Sequence, residues 1–280
     1  MHKDKLISFV EEDRGPGDVT TEAMLAGQSQ VKLGEATVIF KENGVLAGSG
    51  EARTIYQHYG LSMTLLKEEG EQVRAGETVM KLSGEAAQIL LVERSILNLM
   101  SRMSGIATAT RQAVVRARAK NPKLRVAATR KTAPGLSYFD KKAVVIGGGD
   151  PHRSGLYDAV LIKENHIELA GGVREALKRA RDHVSFSKKV EIEVESEEDA
   201  FTALEGGADI IMLDNMAPKQ AKKLYRKLKK KRPGVLIELS GGITPDNITD
   251  YADCGDIISM GWLTHSVKEI DISLYLKLKK

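Results

Sequence analysis

The sequence predicts an α/β protein, a parallel sheet covered by helices and preceded by a smaller α+β unit. Three observations predict it. After Pro122, six short apolar strands alternate with amphipathic helical segments, at 124–128, 159–162, 190–194, 210–213, 236–239 and 257–259. Each strand ends on polar or glycine residues: Arg130-Lys131, Lys163-Glu164-Asn165-His166, Glu193 with Glu195, Asp214-Asn215, Ser240-Gly241-Gly242 and Gly261. Ahead of them, 31–84 has another rhythm, short strands with glycine-bearing turns around one helix. Repeated β-α units give a parallel sheet, open or closed as a barrel. In a barrel the strand C-termini converge on the face that carries active sites.

Taken in order, residues 1–27 read as a short helix, a Gly-Pro-Gly break and a second helix from about Glu22, with Thr20 or Thr21 as its N-cap. This N-terminal segment has no apolar core suited to a signal peptide, and no run approaches the length of a membrane span. A cytoplasmic protein is expected. Strands follow in VKLGEATVIF, GVLAG, LSMTLL and EGEQVRAGETVMKLSG, with a helix at 51–59. The last of these is similar to the hairpins of lipoyl and biotinyl carriers. Arg74-Ala75-Gly76 stands at the tip where a carrier needs lysine, so a scaffold role is expected. Residues 85–119 form the longest helical pattern, expected to break or bend near Gly105. On it, Arg94 beside Glu93 reads equally well as an ordinary surface charge. Later helices are expected at 172–183, 197–205, 218–230 and 245–253. The closing DISLYLKL is a strand or helix that returns to the first domain.

Composition narrows the function classes. Of 280 residues, 42% are hydrophobic and 29% charged, which reads as globular. The 42 basic and 38 acidic side chains leave a net charge of only +4, too little and too dispersed to argue for nucleic acid. The lysine-rich stretch 219–232 lies on an amphipathic helix with Ala221, Leu224 and Leu228 inward, so its charges form a solvated face. The basic run at 277–280 carries no further motif. Cys254 is the only cysteine, which excludes internal disulfides and thiolate metal sites.

The chemistry concentrates between Thr129 and His166. Arg130, Lys131, Lys141, Lys142, His152, Arg153 and Lys163 surround the Gly147-Gly148-Gly149 run. Glycines permit close backbone approach, and cations beside them suit a small polyanion. Strand parity adds a second argument. If Ile192 and Val194 face covering helices, then Glu191, Glu193 and Glu195 turn toward the barrel axis. Met212, Asp214, Glu238 and Ser240 follow on the next strands. Inward carboxylates need cations or a metal to offset their desolvation. Ser240-Gly241-Gly242-Ile243 and Gly261, on the last two strand ends, suit a phosphate held by backbone N–H groups.

These segments identify a resemblance. TRKTAPG, KKAVVIGGGDPHRSGLYDAVLIKENH, VEIEVES, ADIIMLDNM, IELSGGI and MGWLTHS occur in the order found in the quinolinate phosphoribosyltransferase family, also called carboxylating nicotinate-nucleotide pyrophosphorylases. EDRGPGDVTT and VERSILNLMSRMSGIAT extend the resemblance to nearly the whole chain. It implies an N-terminal α+β sandwich domain over 1–110, with 268–280 returning to it, and an incomplete six-stranded parallel α/β barrel over 111–267. It implies a reaction of quinolinate with phosphoribosyl pyrophosphate that yields nicotinate mononucleotide, pyrophosphate and carbon dioxide, in de novo NAD biosynthesis. Thr129, Arg130, Lys131, His152 and Arg153 would bind substrate, with Arg94 entering from the neighbouring subunit of a homodimer or dimer-based hexamer. Lys163 and Lys131 would serve the reacting centre. Glu193 and Asp214 would face the ribose hydroxyls and Mg²⁺, directly or through water or substrate. Ser240, Gly241, Gly242 and Gly261 would cradle the phosphate, with His265 close by.

Two departures from the pattern bear on the acceptor. Ala133 follows Thr132, and Asp150-Pro151-His152 follows the glycine run. Proline before His-Arg also occurs in a sister phosphoribosyltransferase group linked to molybdenum transport, whereas Lys163 and Asn165 point back to the quinolinate enzyme. Rivals from other classes are a Schiff-base aldolase using Lys163 and a non-enzymatic anion sensor on a barrel scaffold.

Overall fold

The computed structural model describes residues 2–27 and 30–279. They form two units, one comprising the chain up to Thr108 together with the segment from Val267 onward, the other Ala109–Ser266.

In the first unit, α1 (His2–Arg14) and α2 (Val19–Leu25) precede β1 (Leu33–Phe40), β2 (Gly44–Val45), α3 (Ser49–His58), β3 (Ser62–Leu65), β4 (Gln72–Val73) and β5 (Thr78–Glu85). The cap of α2 is Asp18 rather than the expected threonines: its carboxylate accepts the Thr21 N–H at 2.9 Å, so the helix starts about one turn earlier. In β1, Ala36, Val38 and Phe40 are buried while Glu35 is exposed, the period-two pattern of a sheet with one covered face. The chain's last strand, β12 (Ile272–Leu278), pairs antiparallel with β1 and gives a sheet of order β12-β1-β5-β3. The short β2 and β4 form a separate antiparallel pair. Of the terminal lysine run, Lys280 lies outside the described residues.

Helix α4 (Ala86–Lys120) runs unbroken for 35 residues through Gly105, where a bend was expected. The glycine is there for space. A Cβ at position 105 would stand 2.4 Å from the Lys268 carbonyl oxygen and 3.1 Å from Glu269 Cα.

The second unit is a six-stranded parallel sheet of order β6-β11-β10-β9-β8-β7. Its strands are β6 (Arg125–Ala127), β7 (Val160–Ile162), β8 (Val190–Val194), β9 (Ile210–Asp214), β10 (Leu236–Ser240) and β11 (Ile257–Ser259). Strands β6 and β7 are consecutive in sequence yet occupy the two edges, so the barrel is incomplete. Between them lies a helix that the sequence pattern did not signal, α5 (Ser137–Ile146). It is followed around the sheet by α6 (Glu164–Ala170), α7 (Val173–His183), α8 (Glu197–Glu205), α9 (Pro218–Lys231), α10 (Ile248–Tyr251) and α11 (Trp262–His265). The α10 segment is shorter than its expected span.

Local sequence explains the helix boundaries. Ser196 caps α8 through the Asp199 N–H, and Glu197, Glu198 and Asp199 place negative charge at the helix N-terminus. Pro218 opens α9, whose last turn carries Lys229, Lys230 and Lys231. Ala221, Leu224 and Leu228 form its buried stripe. They join Ile192, Val194, Ile211, Leu213, Ile237 and Leu239 in one core between sheet and helices. Each such fully buried leucine or isoleucine contributes roughly 1.5–3 kcal/mol.

The close approach at Gly105 gives a direct test. Gly105→Ala is expected to destabilise the protein by about 1–3 kcal/mol through overpacking. A thermal midpoint equal to the wild type's would show that the segment from Val267 onward yields freely there.

Candidate active site at the strand ends

Parallel register stacks the interior side chains of the barrel in layers. Glu193, Met212 and Glu238 are neighbours across β8, β9 and β10, and Asp214 lies beside Ser240. The interior orientation expected from parity holds for Glu191, Glu193, Met212, Asp214, Glu238 and Ser240. Glu195 is a correction: it lies past the end of β8, is exposed and does not line the cleft.

A cleft of about 580 Å³ opens at the C-terminal ends of the strands. It is lined by Thr129, Arg130, Lys131, His152, Arg153 and Lys163. The carboxylates Glu193 and Asp214 also line it, as do Ser240, Gly241, Gly242, Gly261 and His265. The residues of this unit that the resemblance assigns to substrate and metal therefore meet in one cavity, whereas other members of the cationic, glycine-bearing stretch do not. Arg94 belongs to the other unit, exposed on α4.

Two threonine hydroxyls hold the backbone of the turn after β6. Thr129 Oγ1 accepts the Lys131 N–H at 3.1 Å, and Thr264 Oγ1 donates to the Lys131 carbonyl at 2.7 Å. The chain then enters α5, and the glycine run does not line the cleft. Gly147 caps α5, Gly148 takes φ +91°, and Arg111 Nε donates to the Gly147 carbonyl at 2.9 Å. The run is thus a helix terminator with a cation on its free carbonyls, not a ligand loop. Gly149 lets the chain return beside β6, where the Asp150 N–H donates to the Val126 carbonyl at 2.8 Å. A Cβ at position 149 would lie 2.7 Å from Thr110 Cγ2.

That return presents His152 and Arg153 to the cleft. Asp150 Oδ1 accepts the His152 N–H at 2.8 Å, and His152 takes the left-handed conformation, φ +54°. Lys141 is a second correction. It does not line the cleft but is buried beneath this turn and donates to the Pro151 carbonyl. Lys142, half-buried on α5, does not line the cleft either.

Two charge clusters remain. Lys163, at the N-terminus of α6, pairs with Glu193. Asp214 has its pKa raised, first by burial and then by the charge of Glu193. On the floor, His152 Nε2 lies 3.2 Å from Glu238 Oε2 and 3.6 Å from Glu191 Oε2. Burial, reinforced by the charge of Glu238, pushes Glu191 up to about 8. Burial alone would lower the pKa of His152, but the Glu238 hydrogen bond and both carboxylate charges leave it raised. Sequence reasoning turned both floor acids inward but assigned them no site role.

Across the cleft, Gly241 and Gly242 take φ +92° and +61°. A Cβ at position 241 would meet the Asn215 backbone nitrogen at 2.7 Å, so only glycine fits. Asn215 itself has φ +53° and donates from Nδ2 to Asp214 Oδ2 at 2.7 Å. The signal for Asn215 was its place directly after Asp214, since asparagine tolerates the left-handed region.

A parallel barrel that turns all its strand ends into one cationic, glycine-edged cleft belongs to the class of α/β-barrel enzymes acting on small anionic substrates. The family description "Quinolinate phosphoribosyl transferase, C-terminal domain" matches residues 106–275, and its N-terminal counterpart matches 18–104. A probable carboxylating nicotinate-nucleotide pyrophosphorylase of Methanothermobacter thermautotrophicus is 47% identical, over 98% of each chain. The carboxylating nicotinate-nucleotide pyrophosphorylase of Homo sapiens is 39% identical, over 91% of this chain and 84% of its own. The solved structure of the nicotinate-nucleotide pyrophosphorylase from Francisella tularensis superposes with a TM-score of 0.89 at 33% identity, covering 98% of this chain and 97% of that one. The chain belongs to the quinolinate phosphoribosyltransferase family.

Lys141 gives the turn that carries His152 a pH-dependent stability. Burial lowers its ammonium from the ordinary 10.5 to about 8, although Asp150 pulls the other way. Between those values the unfolded chain binds the extra proton, so this group's contribution raises stability as pH rises from about 8 to 10.5. The stability difference between wild type and Lys141→Met is expected to move in the wild type's favour across that window. A difference constant with pH, measured by denaturant titration, would contradict the burial of the charge.

Proposed function

We propose that this chain catalyses the family's reaction in NAD biosynthesis. Quinolinate and phosphoribosyl pyrophosphate become nicotinate mononucleotide, pyrophosphate and carbon dioxide. The observation that carries the reading is the cleft itself. Two guanidinium groups, two lysines, a carboxylate pair and the Gly241-Gly242 turn line one cavity.

Arg130 and Arg153 offer planar forks to the adjacent carboxylates of the pyridine, a geometry lysine does not match. His152 lies between Arg153 and the barrel floor, and Thr129 fixes the turn that presents Arg130. Lys163 and Lys131 face the pyrophosphate and stabilise the negative charge that builds as it departs. Positive charge then develops on the ribosyl carbon, which Glu193 and Asp214 favour. The pyridine nitrogen forms the new bond to that carbon. Once the ring nitrogen is alkylated, its positive charge stabilises the electron pair left on the adjacent carbon when that carbon's carboxylate leaves as carbon dioxide. A proton taken from water then forms the C–H bond of the product. Ser240, Gly241, Gly242 and Gly261 cradle the 5′-phosphate, with His265 beside them.

Mg²⁺ suits the donor set. Burial and the charge of Glu193 raise the pKa of Asp214, and such a pair is relieved by a cation. Bound there, it supplies charge neutralisation for pyrophosphate. A Schiff-base role for Lys163 fits less well, because that chemistry needs a free amine and the ammonium pairs with Glu193.

Arg94 is exposed on α4, and we assign it to the quinolinate site of a neighbouring subunit in a homodimer or dimer-based hexamer. The substrates are water-soluble and the expected setting is the cytoplasm. Among the described residues no helix is long and apolar enough to cross a membrane.

The test follows nicotinate mononucleotide and carbon dioxide from quinolinate, phosphoribosyl pyrophosphate and Mg²⁺. Arg130→Ala and Lys163→Ala are each expected to lower kcat/KM by about 10²-fold or more. Folded wild type without product, or full turnover by Arg130→Ala, would overturn the reading. Mixing Arg94→Ala with Lys163→Ala subunits is expected to restore part of the lost activity. No restoration in subunits shown to exchange would place Arg94 outside the neighbour's site.

A further inference from the structure

The barrel floor holds a group that the proposed reaction does not use. Glu238 is fully buried and Glu191 is 2% exposed. Each keeps one oxygen, Oε1, without a hydrogen-bond partner among the described residues. Two buried carboxylates with unmet acceptors are costly, and such a cost persists where the pair serves something else.

His152, Glu191 and Glu238 present ligand atoms all within 4.8 Å of one another, a spacing that suits a divalent cation. The imidazole argues against one. Its Nδ1 accepts the Arg153 N–H at 2.8 Å, so the proton sits on Nε2, the nitrogen that faces the two acids. A ligating histidine has the opposite arrangement, with its second nitrogen donating outward. Nε2–H is therefore a donor to Glu238 Oε2, with Glu191 Oε2 next in line.

Both ring nitrogens are thus committed within the protein, one to the acid pair and one to the backbone of Arg153. The ring ties the barrel floor to the turn that carries Arg153. The turn needs such a tie, since His152 sits in the left-handed conformation. We propose that Glu191 and Glu238 are positioning residues for the pyridine side of the site. They fix the His152 ring, and through its Nδ1 the backbone of Arg153, in the orientation that receives a substrate carboxylate. The inference rests on the reading that Arg153 binds quinolinate. The phosphate side, at Gly241 and Gly242, is outside this chain of contacts.

The test separates the two sides of the cleft by their Michaelis constants. Glu238→Met is expected to raise the KM for quinolinate about 10-fold or more, by loss of the acceptor for Nε2–H. The KM for phosphoribosyl pyrophosphate is expected to stay within about 2-fold, with a thermal midpoint within about 4 °C of wild type. Glu238→Gln keeps an acceptor and is expected to recover most of the loss. Glu191→Gln is the second variant, with a rise in quinolinate KM of about 3-fold that does not depend on Glu238→Met folding. Equal rises in both Michaelis constants, or none in quinolinate KM, would overturn the proposal. Arg153→Ala run alongside tells the failures apart. If it leaves quinolinate KM unchanged, the substrate reading falls and the inference with it. If it raises that constant while the acid variants do not, the positioning role alone is wrong.

Discussion

The compensation of buried negative charge governs the second unit. Parallel strands alternate their side chains, and the helices claim Ile192, Val194, Ile211, Leu213, Ile237 and Leu239 for the core. Glu191, Glu193, Asp214 and Glu238 are left facing the axis. Desolvating such charges costs several kcal/mol each unless cations or hydrogen bonds offset it. The compensation comes from the strand ends and the long β6–β7 connection, with the Lys163 ammonium on Glu193 and the His152 Nε2–H on the floor pair. An apolar interior would be simpler to fold. The acids make sense where a substrate brings both developing positive charge and anionic groups into one cleft.

The second constraint is backbone conformation. Three residues in the left-handed region, Asn215, Gly241 and Gly242, lie at the ends of neighbouring strands, and His152 takes the same region across the cleft. Non-glycine residues hold that conformation at a cost, and the surrounding hydrogen bonds impose it: Asp150 on His152, and the Ser240 carbonyl on the Asn215 N–H. Rigid strands below and constrained turns above fix the site geometry before substrate arrives.

Much of this was legible in the residues. All six parallel strands follow from apolar runs followed by polar or glycine ends, and the parity of EIEVE placed Glu191 and Glu193 on the axis. Ser240-Gly241-Gly242 declared its turn because glycine is the residue that adopts left-handed backbone without penalty. What escaped depended on contacts distant in sequence. Gly105 looks like a helix breaker in isolation, yet serves close packing against Lys268. Gly147-Gly148-Gly149 looks like an anion loop, yet ends a helix that periodicity alone did not reveal. Lys141 counted among the ligand cations until its burial beneath Pro151 was visible. The roles of Glu191 and Glu238 needed the His152 ring, which lies 39 and 86 residues away from them in sequence. No local pattern encodes a partnership of that span.

A crystal structure with quinolinate and a non-hydrolysable phosphoribosyl pyrophosphate analogue reads both halves of the cleft at once. The pyridine carboxylates are expected on Arg130 and Arg153, the pyrophosphate mimic at Lys131 and Lys163, and the 5′-phosphate on Gly241, Gly242 and Gly261. A pyridine bound away from both arginines, or a phosphate seated elsewhere than the glycine turn, would contradict it.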